Sequence, residues 1–276
     1  MKKNIMKIFV MSLAIIIIKF FNGYSYELKP EVQFIDVGQA DCILIKGSKN
    51  YLIDTGSGET SESVVKHLKM EGIEELENII ITHYHEDHYG GLKRILQNVK
   101  VKEIILPYVE HKEDIISYVK KMDFNYTLLD KNTLLESPKV NLKILVPPQR
   151  DKNIENNNSL VILGQIDDIS YLFMADAEKK LEDELIKNYN IPRVNILKVG
   201  HHGLITGTTN RLLNATKPDF AVIFSDGIGS PSYNVSQRLT KHGVNILRTD
   251  KLGSIKIENG SSSEDKVIIK IYNLKT

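Results

Sequence analysis

The chain has 276 residues, 42% of them hydrophobic and 26% charged, enough to bury one large core or two small ones and too apolar for disorder over most of its length. The formal net charge is +1. The first 25 residues hold four lysines and no acid, so the remainder balances 32 basic against 35 acidic side chains, or −3; a globally cationic surface of the kind that drives non-specific nucleic-acid binding is excluded. Cys42 is the single cysteine, so no disulfide forms within the chain.

The N-terminus opens with "MKKNIMK" and continues with eleven mostly apolar residues, "IFVMSLAIIII". A lysine-rich start and a short apolar run have the shape of a signal peptide over residues 1–25, because the run is well short of the ~20 residues that span a bilayer. Gly23 and Ser25 offer small residues for a cut before Tyr26. A buried N-terminal helix and an uncleaved anchor are the alternatives. Export would place the protein outside the cell or on the outer face of the cytoplasmic membrane, and residues 26–276 read as a single domain.

From residue 30, "EVQFIDVG", "CILIKG" and "NYLIDTG" predict three strands separated by glycine-containing turns. "ETSESVVKHLKMEGI" has apolar residues at helical spacing, Val64, Val65, Leu68 and Ile73. "ENIIITH" reads as a buried strand, "HEDHYGGLKRILQNV" as a helix, "VKEIILPY" as a strand and "KEDIISYVKKM" as a helix. Strands follow at "NLKILVP", "SLVILGQI" and "SYLFMAD", then a helix at "AEKKLEDELIKNY". The strands "NILKVGHH" and "PDFAVIFS", the helix "YNVSQRLTKHG" and the strands "NILRTD", "SIKIEN" and "KVIIKIYN" close the chain. Two half-domains, each a sheet with helices on its outer face, give an α/β (α+β) class and a four-layer αββα sandwich.

The densest chemistry lies in "ITHYHEDHYGGL", residues 81–92. His83 and His85 are two apart just after a strand, so in extended backbone both imidazoles point to one side. Asp87 and His88 follow at the turn, and the four can converge on a pocket suited to two nearby divalent ions. A polar loop that happens to hold histidines is the plainer reading, but H-x-H-x-D-H followed by Gly90 and Gly91 is far more specific than a lone histidine. Other strand ends offer Asp54 in "YLIDTG", Asp176 in "YLFMADAE", and His201 and His202 in "ILKVGHHG". Asp176 can bridge two cations, or simply cap the following helix. All lie along one rim if the strands are neighbours.

"FIDVGQADCILI", "LIDTG", "THYHEDHYGGL", "NNNSLVI", "MADAE", "LKVGHHG" and "RTDKLGSI", in that order over roughly residues 31–260, resemble the metallo-β-lactamase superfamily and, within it, the ComEC-like branch of competence-protein hydrolase domains and their stand-alone relatives. The resemblance implies an αββα fold and a dinuclear zinc or manganese site. It implies His83 and His85 on one metal, Asp87 and His88 on the other, Asp176 bridging them, His201 completing the second site and His202 beside it, turned to the substrate. Asp54 would hold the histidine loop from behind, with Asp36 and Asp41 as supporting turn residues.

Two departures stand out. "GHHG" in this branch continues with Ser-Lys-Thr, whereas here Leu204, Ile205 and Thr206 follow; and a later Tyr-Gly-His-Pro is here Ile228, Gly229, Ser230 and Pro231. Both remove groups that could contact a phosphate or protonate a leaving group. His111, in "VEHKED", reads as a surface residue rather than a ligand, and His67 and His242 as ordinary helix or surface residues.

Two cations sharing a water lower its pKa toward neutrality and give a hydroxide nucleophile, which Asp87 can orient. For a phosphodiester, His202 could donate a hydrogen bond to a non-bridging oxygen or a proton to the leaving group, and Asn158 and Ser159 could reach the substrate unless they are only turn residues. The expected function is a secreted metal-dependent phosphodiesterase acting on DNA or a phosphate-bearing wall polymer. A hydrolase of carboxylic esters or lactams and a non-catalytic binding module are the alternatives. No bundle of membrane spans is present to form a channel.

Overall fold

A computed structural model describes residues 29–108, 113–260 and 267–272. The expected signal peptide over residues 1–25 and His111 lie outside the described residues. Fifteen strands occur among the described residues: β1 (Glu31–Phe34), β2 (Ile43–Lys46), β3 (Tyr51–Ile53), β4 (Glu75–Ile80), β5 (Lys100–Pro107), β6 (Tyr126–Leu129), β7 (Thr133–Ser137), β8 (Val140–Leu145), β9 (Val161–Ile166), β10 (Ile169–Phe173), β11 (Ile196–Lys198), β12 (Phe220–Ile223), β13 (Asn245–Arg248), β14 (Ser254–Asn259) and β15 (Val267–Tyr272). They form an eight-stranded sheet in the order β15-β14-β1-β2-β3-β4-β5-β6 and a seven-stranded sheet in the order β13-β12-β11-β10-β9-β8-β7.

Each sheet is antiparallel at one side and parallel at the other. Strands β14, β1, β2 and β3 pair antiparallel, whereas β3 to β6 pair parallel. In the second sheet β7 to β10 are antiparallel and β10 to β13 parallel. A parallel pair needs a crossover, and helices supply it: Ser61–Met70 between β3 and β4, Glu113–Lys121 between β5 and β6, and Lys179–Asn188, Asn210–Thr216 and Tyr233–Lys241 along the second sheet. The carboxyl ends of the parallel strands are where such folds place their functional loops.

Side-chain alternation along β10 shows how the layers pack. Tyr171 and Phe173 point between the sheets, where Phe173 meets Phe34 of β1 at a ring separation of 6.2 Å and Phe224 approaches Phe34 at 6.0 Å. Leu172 and Met174 point outward to Leu181 and Leu185 of the helix Lys179–Asn188. Val64 and Leu68, four apart on Ser61–Met70, bury the corresponding helical face on the first sheet. The result is the expected four-layer αββα sandwich. Full burial of each such side chain contributes about 1.5–3 kcal/mol.

The elements differ from expectation in three places. Residues 85–99 form two short helices, Glu86–Tyr89 and Leu92–Leu96, rather than one. Strands β6 and β7 were not anticipated; their residues alternate only between half-buried and exposed over most of their length, which leaves a weak hydrophobic pattern. The helix Asn210–Thr216 was also missed, although Thr209 caps it by accepting the Leu212 N–H at 3.2 Å.

Candidate metal centre

Asp54 closes β3 in a left-handed conformation, φ 57°, and is fully buried. Its Oδ1 accepts the Thr82 N–H at 2.8 Å and its Oδ2 accepts the Thr82 hydroxyl at 2.8 Å. The same Oδ2 lies 2.8 Å from His88 Nδ1, which holds a proton on Nδ1 and leaves Nε2 as the nitrogen that faces the cluster and can give its lone pair to an ion in exchange for a proton. The next residue strengthens the clamp, because Thr55 donates both its N–H (2.7 Å) and its hydroxyl (2.9 Å) to the His88 carbonyl. This approach demands glycine at 91: a Cβ there would fall far inside the contact distance of the Thr55 carbonyl oxygen, and the Gly91 N–H itself bonds to Gly56 O at 3.0 Å. Gly90 and Gly91 thus divide the expected single helix and seat the histidine turn on the Asp54 loop.

Two groups of donor atoms, each within 4.8 Å, converge at the rim: His83, His85 and Asp176, and Asp87, His88, Asp176 and His202. They share Asp176, which follows β10 on the second sheet and is 2% exposed. Its Oδ2 is 3.9 Å from His83 Nε2 and 3.6 Å from His202 Nε2, and its Oδ1 is 3.3 Å from His88 Nε2. His202 Nε2 also lies 3.1 Å from Asp87 Oδ2. Asp87 is the open edge of the cluster, with its side chain 33% exposed.

The electrostatics fit cations. Burial, with His88 pushing the same way, holds the His83 imidazole well below its ordinary pKa and therefore neutral. Burial opposes charge on His88, but Asp176, Asp54 and Asp41 outweigh it and raise its pKa well above the ordinary value. Burial likewise opposes ionisation of Asp176, yet His88, His202 and Lys198 hold it well below the usual carboxylate range. His83 Nε2, His88 Nε2 and Asp176 Oδ1 are buried without a hydrogen-bond partner. His88 Nε2 and Asp176 Oδ1 face each other only as an ion pair at 3.3 Å, and all three atoms belong to the shared donor groups. The buried ammonium of Lys198 meets the carboxylates of Asp41 and Asp176, and Asp54 and Asp87 add two further carboxylates to the cluster through His88 and His202, a deficit of positive charge that divalent ions would fill.

The fold brings His83, His85, Asp87, His88 and Asp176 together, with Asp54 behind them. Of the second histidine pair, the geometry groups His202 rather than the expected His201 with the other donors. His202, 1% exposed, joins the donor group, whereas His201 is 20% exposed at its side chain, with Nε2 4.0 Å from Asp176, and lies outside both groups. The reason is local: His201 and His202 both adopt left-handed backbone, φ 47° and 52°, which turns the second ring inward and the first toward the mouth. His201 Nδ1 there meets the Thr206 hydroxyl at 2.9 Å and Glu178 at 3.3 Å.

Asn158 and Ser159, expected to reach a substrate, are both buried. Asn158 accepts the Asp151 N–H and donates to the Asp151 carbonyl, both at 2.9 Å, so both ends of its amide shape a loop. Ser159 is fully buried. Asn156, two residues earlier, is the asparagine that reaches the rim, 3.3 Å from the His201 ring and 3.1 Å from Glu178. Asp176 is no helix cap either, since Glu178 holds that position for Lys179–Asn188. The sequence reading missed Lys198, although a lysine inside the apolar run "NILKVG" was a visible signal.

A two-sheet αββα sandwich with a histidine and aspartate cluster at the carboxyl ends of its strands is the architecture of metal-dependent hydrolases. The chain belongs to the Metallo-beta-lactamase superfamily, whose sequence profile matches residues 35–227. It is 27% identical over 251 residues to ComE operon protein 3 of Bacillus subtilis (strain 168), covering 82% of this chain and 32% of that protein. It is 30% identical over 237 residues to Recombination protein 2 of Haemophilus influenzae, covering 82% and 28%. The chain thus spans about a third of the length of these relatives, which accord with the ComEC-like resemblance. Among solved structures, CmlA, a diiron beta-hydroxylase from Streptomyces venezuelae, superposes with a TM-score of 0.56 at 14% identity, covering 84% of this chain and 54% of that one, a likeness of fold. Among the described residues no helix is long and apolar enough to cross a membrane.

Proposed function

We propose that the protein is an exported, dinuclear metal-dependent phosphodiesterase acting on nucleic acid or a phosphate-bearing wall polymer, with residues 26–276 as one catalytic domain. The observation that carries this reading is the pair of donor groups meeting at Asp176. His83, His85 and Asp176 would hold one ion and Asp87, His88, Asp176 and His202 the other; imidazole and carboxylate donors suit zinc or manganese. Bound there, the two ions would supply Lewis acidity and a water acidified toward neutral pH.

The chain's own residues do the rest. Asp54 and Thr55 hold the His88 ring and backbone rigid, so the donor set needs little reorganisation when substrate arrives. Asp87, the exposed carboxylate of the cluster, is placed to accept a proton from the attacking water. His201, at the mouth and braced by Thr206, is placed to donate an N–H to a non-bridging phosphate oxygen; this is the role first expected of His202. Support for a phosphodiester comes from the relative named for recombination, and support for export from the lysines and apolar run at the N-terminus.

The test is elemental analysis of purified protein beside hydrolysis of bis-p-nitrophenyl phosphate and single-stranded DNA with added zinc or manganese. Two metals per chain and turnover abolished in Asp87→Ala are expected. Metal bound with no turnover on either substrate would overturn the phosphodiesterase reading, and absence of metal would overturn the site itself. N-terminal sequencing of the secreted protein tests the cut before Tyr26.

A further inference from the structure

Beneath the cluster lies a charged contact that the proposed reaction does not use. Lys198, the last residue of β11, is 1% exposed. A buried lysine needs partners, and this one donates to the Ala175 carbonyl at 2.8 Å and forms an ion pair with Asp41 Oδ2. Asp41 is itself 1% exposed. Its other oxygen, Oδ1, is buried with no hydrogen-bond partner, and so is His202 Nδ1; the two lie 3.7 Å apart. One is an acceptor and the other can carry a proton, so each is the complement the other lacks. A shift of roughly half an ångström or more would close the bond.

The backbone of Asp41 stiffens this arrangement. Its N–H bonds to the Asp87 carbonyl at 3.1 Å and its carbonyl accepts the Gly56 N–H at 2.8 Å, so residue 41 touches the histidine turn, the Asp54 loop and His202 together. Asp41, Asp54 and His88 also form a third group of potential ligands. The Lys198 ammonium already neutralises Asp41 there and Asp54 is committed to His88 and Thr82, so that place has its cation built in.

We infer that Asp41, neutralised by Lys198, is the positioning residue for His202: its Oδ1 accepts the Nδ1–H and leaves Nε2 as the lone-pair nitrogen turned to Asp87 and Asp176. His202 would then be oriented as His88 is by Asp54, and the claim rests on the two-ion reading above. It is tested in the full chain with cobalt(II) as the probe, followed by absorption titration, together with urea unfolding of the metal-free protein. Lys198→Met should lower the unfolding midpoint, because it strands the Asp41 charge. Lys198→Met combined with Asp41→Leu, an apolar pair in place of a buried ion pair, should recover the midpoint. In that double variant the second cobalt should bind ~10–100-fold more weakly, and the first, which meets Lys198 only through Asp176, should change far less; Asp41→Asn should weaken the second ion in the same direction. A double variant that takes both ions with native affinity would overturn the inference while leaving the metal centre standing. A native protein that takes fewer than two ions would instead overturn the two-ion reading, and the inference with it.

Discussion

The two halves of the rim are built by different means. On the first sheet, side-chain hydrogen bonds do the work: Asp54 is engaged at 2.8 Å by the Thr82 N–H, the Thr82 hydroxyl and His88. On the second sheet, backbone shape does it. Ala175, His201 and His202 all have positive φ, 48°, 47° and 52°, and the two rings lie 3.1–4.0 Å from the carboxylates of Asp87 and Asp176. A half fixed by hydrogen bonds is rigid before any ion arrives, whereas a half aimed by the main chain keeps slack that an ion can take up.

This contrast can be broken most severely at Asp54. Asp54→Ala strands the Thr82 N–H, the Thr82 hydroxyl and His88 Nδ1 in a buried site, and should cost about 3–5 kcal/mol in urea unfolding of the metal-free protein and abolish metal retention. Full stability in that variant would mean the first half is not held from behind. The second half is sharpened by comparing two adjacent residues. His202→Gln should reduce cobalt(II) stoichiometry from two to one, whereas His201→Gln should keep both ions and lower turnover about 10²-fold; the opposite result would restore the order expected from sequence.

A smaller effect is expected from Gly91→Ala, which forces the histidine turn away from Thr55 and should lower stability by about 1–3 kcal/mol while weakening both ions. The smallest belongs to the far end of the first sheet, a control for both halves. Burial opposes ionisation of Glu71, but hydrogen bonds from Gln33 and Lys46 and the charge of Lys256 outweigh it and hold its carboxyl at about 2. A folded pKa depressed below the ordinary 4.5 contributes stability that is complete above that value and lost as pH falls through about 2. Glu71→Gln should therefore flatten the acid limb of stability between those values and leave metal binding untouched. A change in metal affinity would show that the two ends of the sheet are coupled.

The first half was legible because its ligands are local: His83, His85, Asp87 and His88 fall within one turn, and spacing alone predicts where they point. Asp54 and Asp176 could be read because each ends a recognisable apolar strand. The choice between His201 and His202 could not be read, since both lie in one left-handed turn, which sends consecutive side chains to different sides and which no residue spacing records. The same holds for "NNN", where Asn156 and Asn158 differ in role through the loop around Asp151 rather than through any feature of the three letters. Strands β6 and β7 escaped because half-exposed strands carry little alternation, and Lys198 because a charged residue in a buried strand contradicts the pattern used to find the strand.

Asp176 belongs to both donor groups, and a common ligand makes two binding events one linked system. An ion in the pocket of His83 and His85 would draw on the carboxylate that an ion beside His88 also needs, and would repel that second ion across it. Linkage then requires the first occupant to change the affinity for the second by a factor that is the same whichever pocket fills first. Cobalt titration should accordingly trace two unequal steps, and Asp176→Asn, by weakening the shared ligand, should narrow the gap between them.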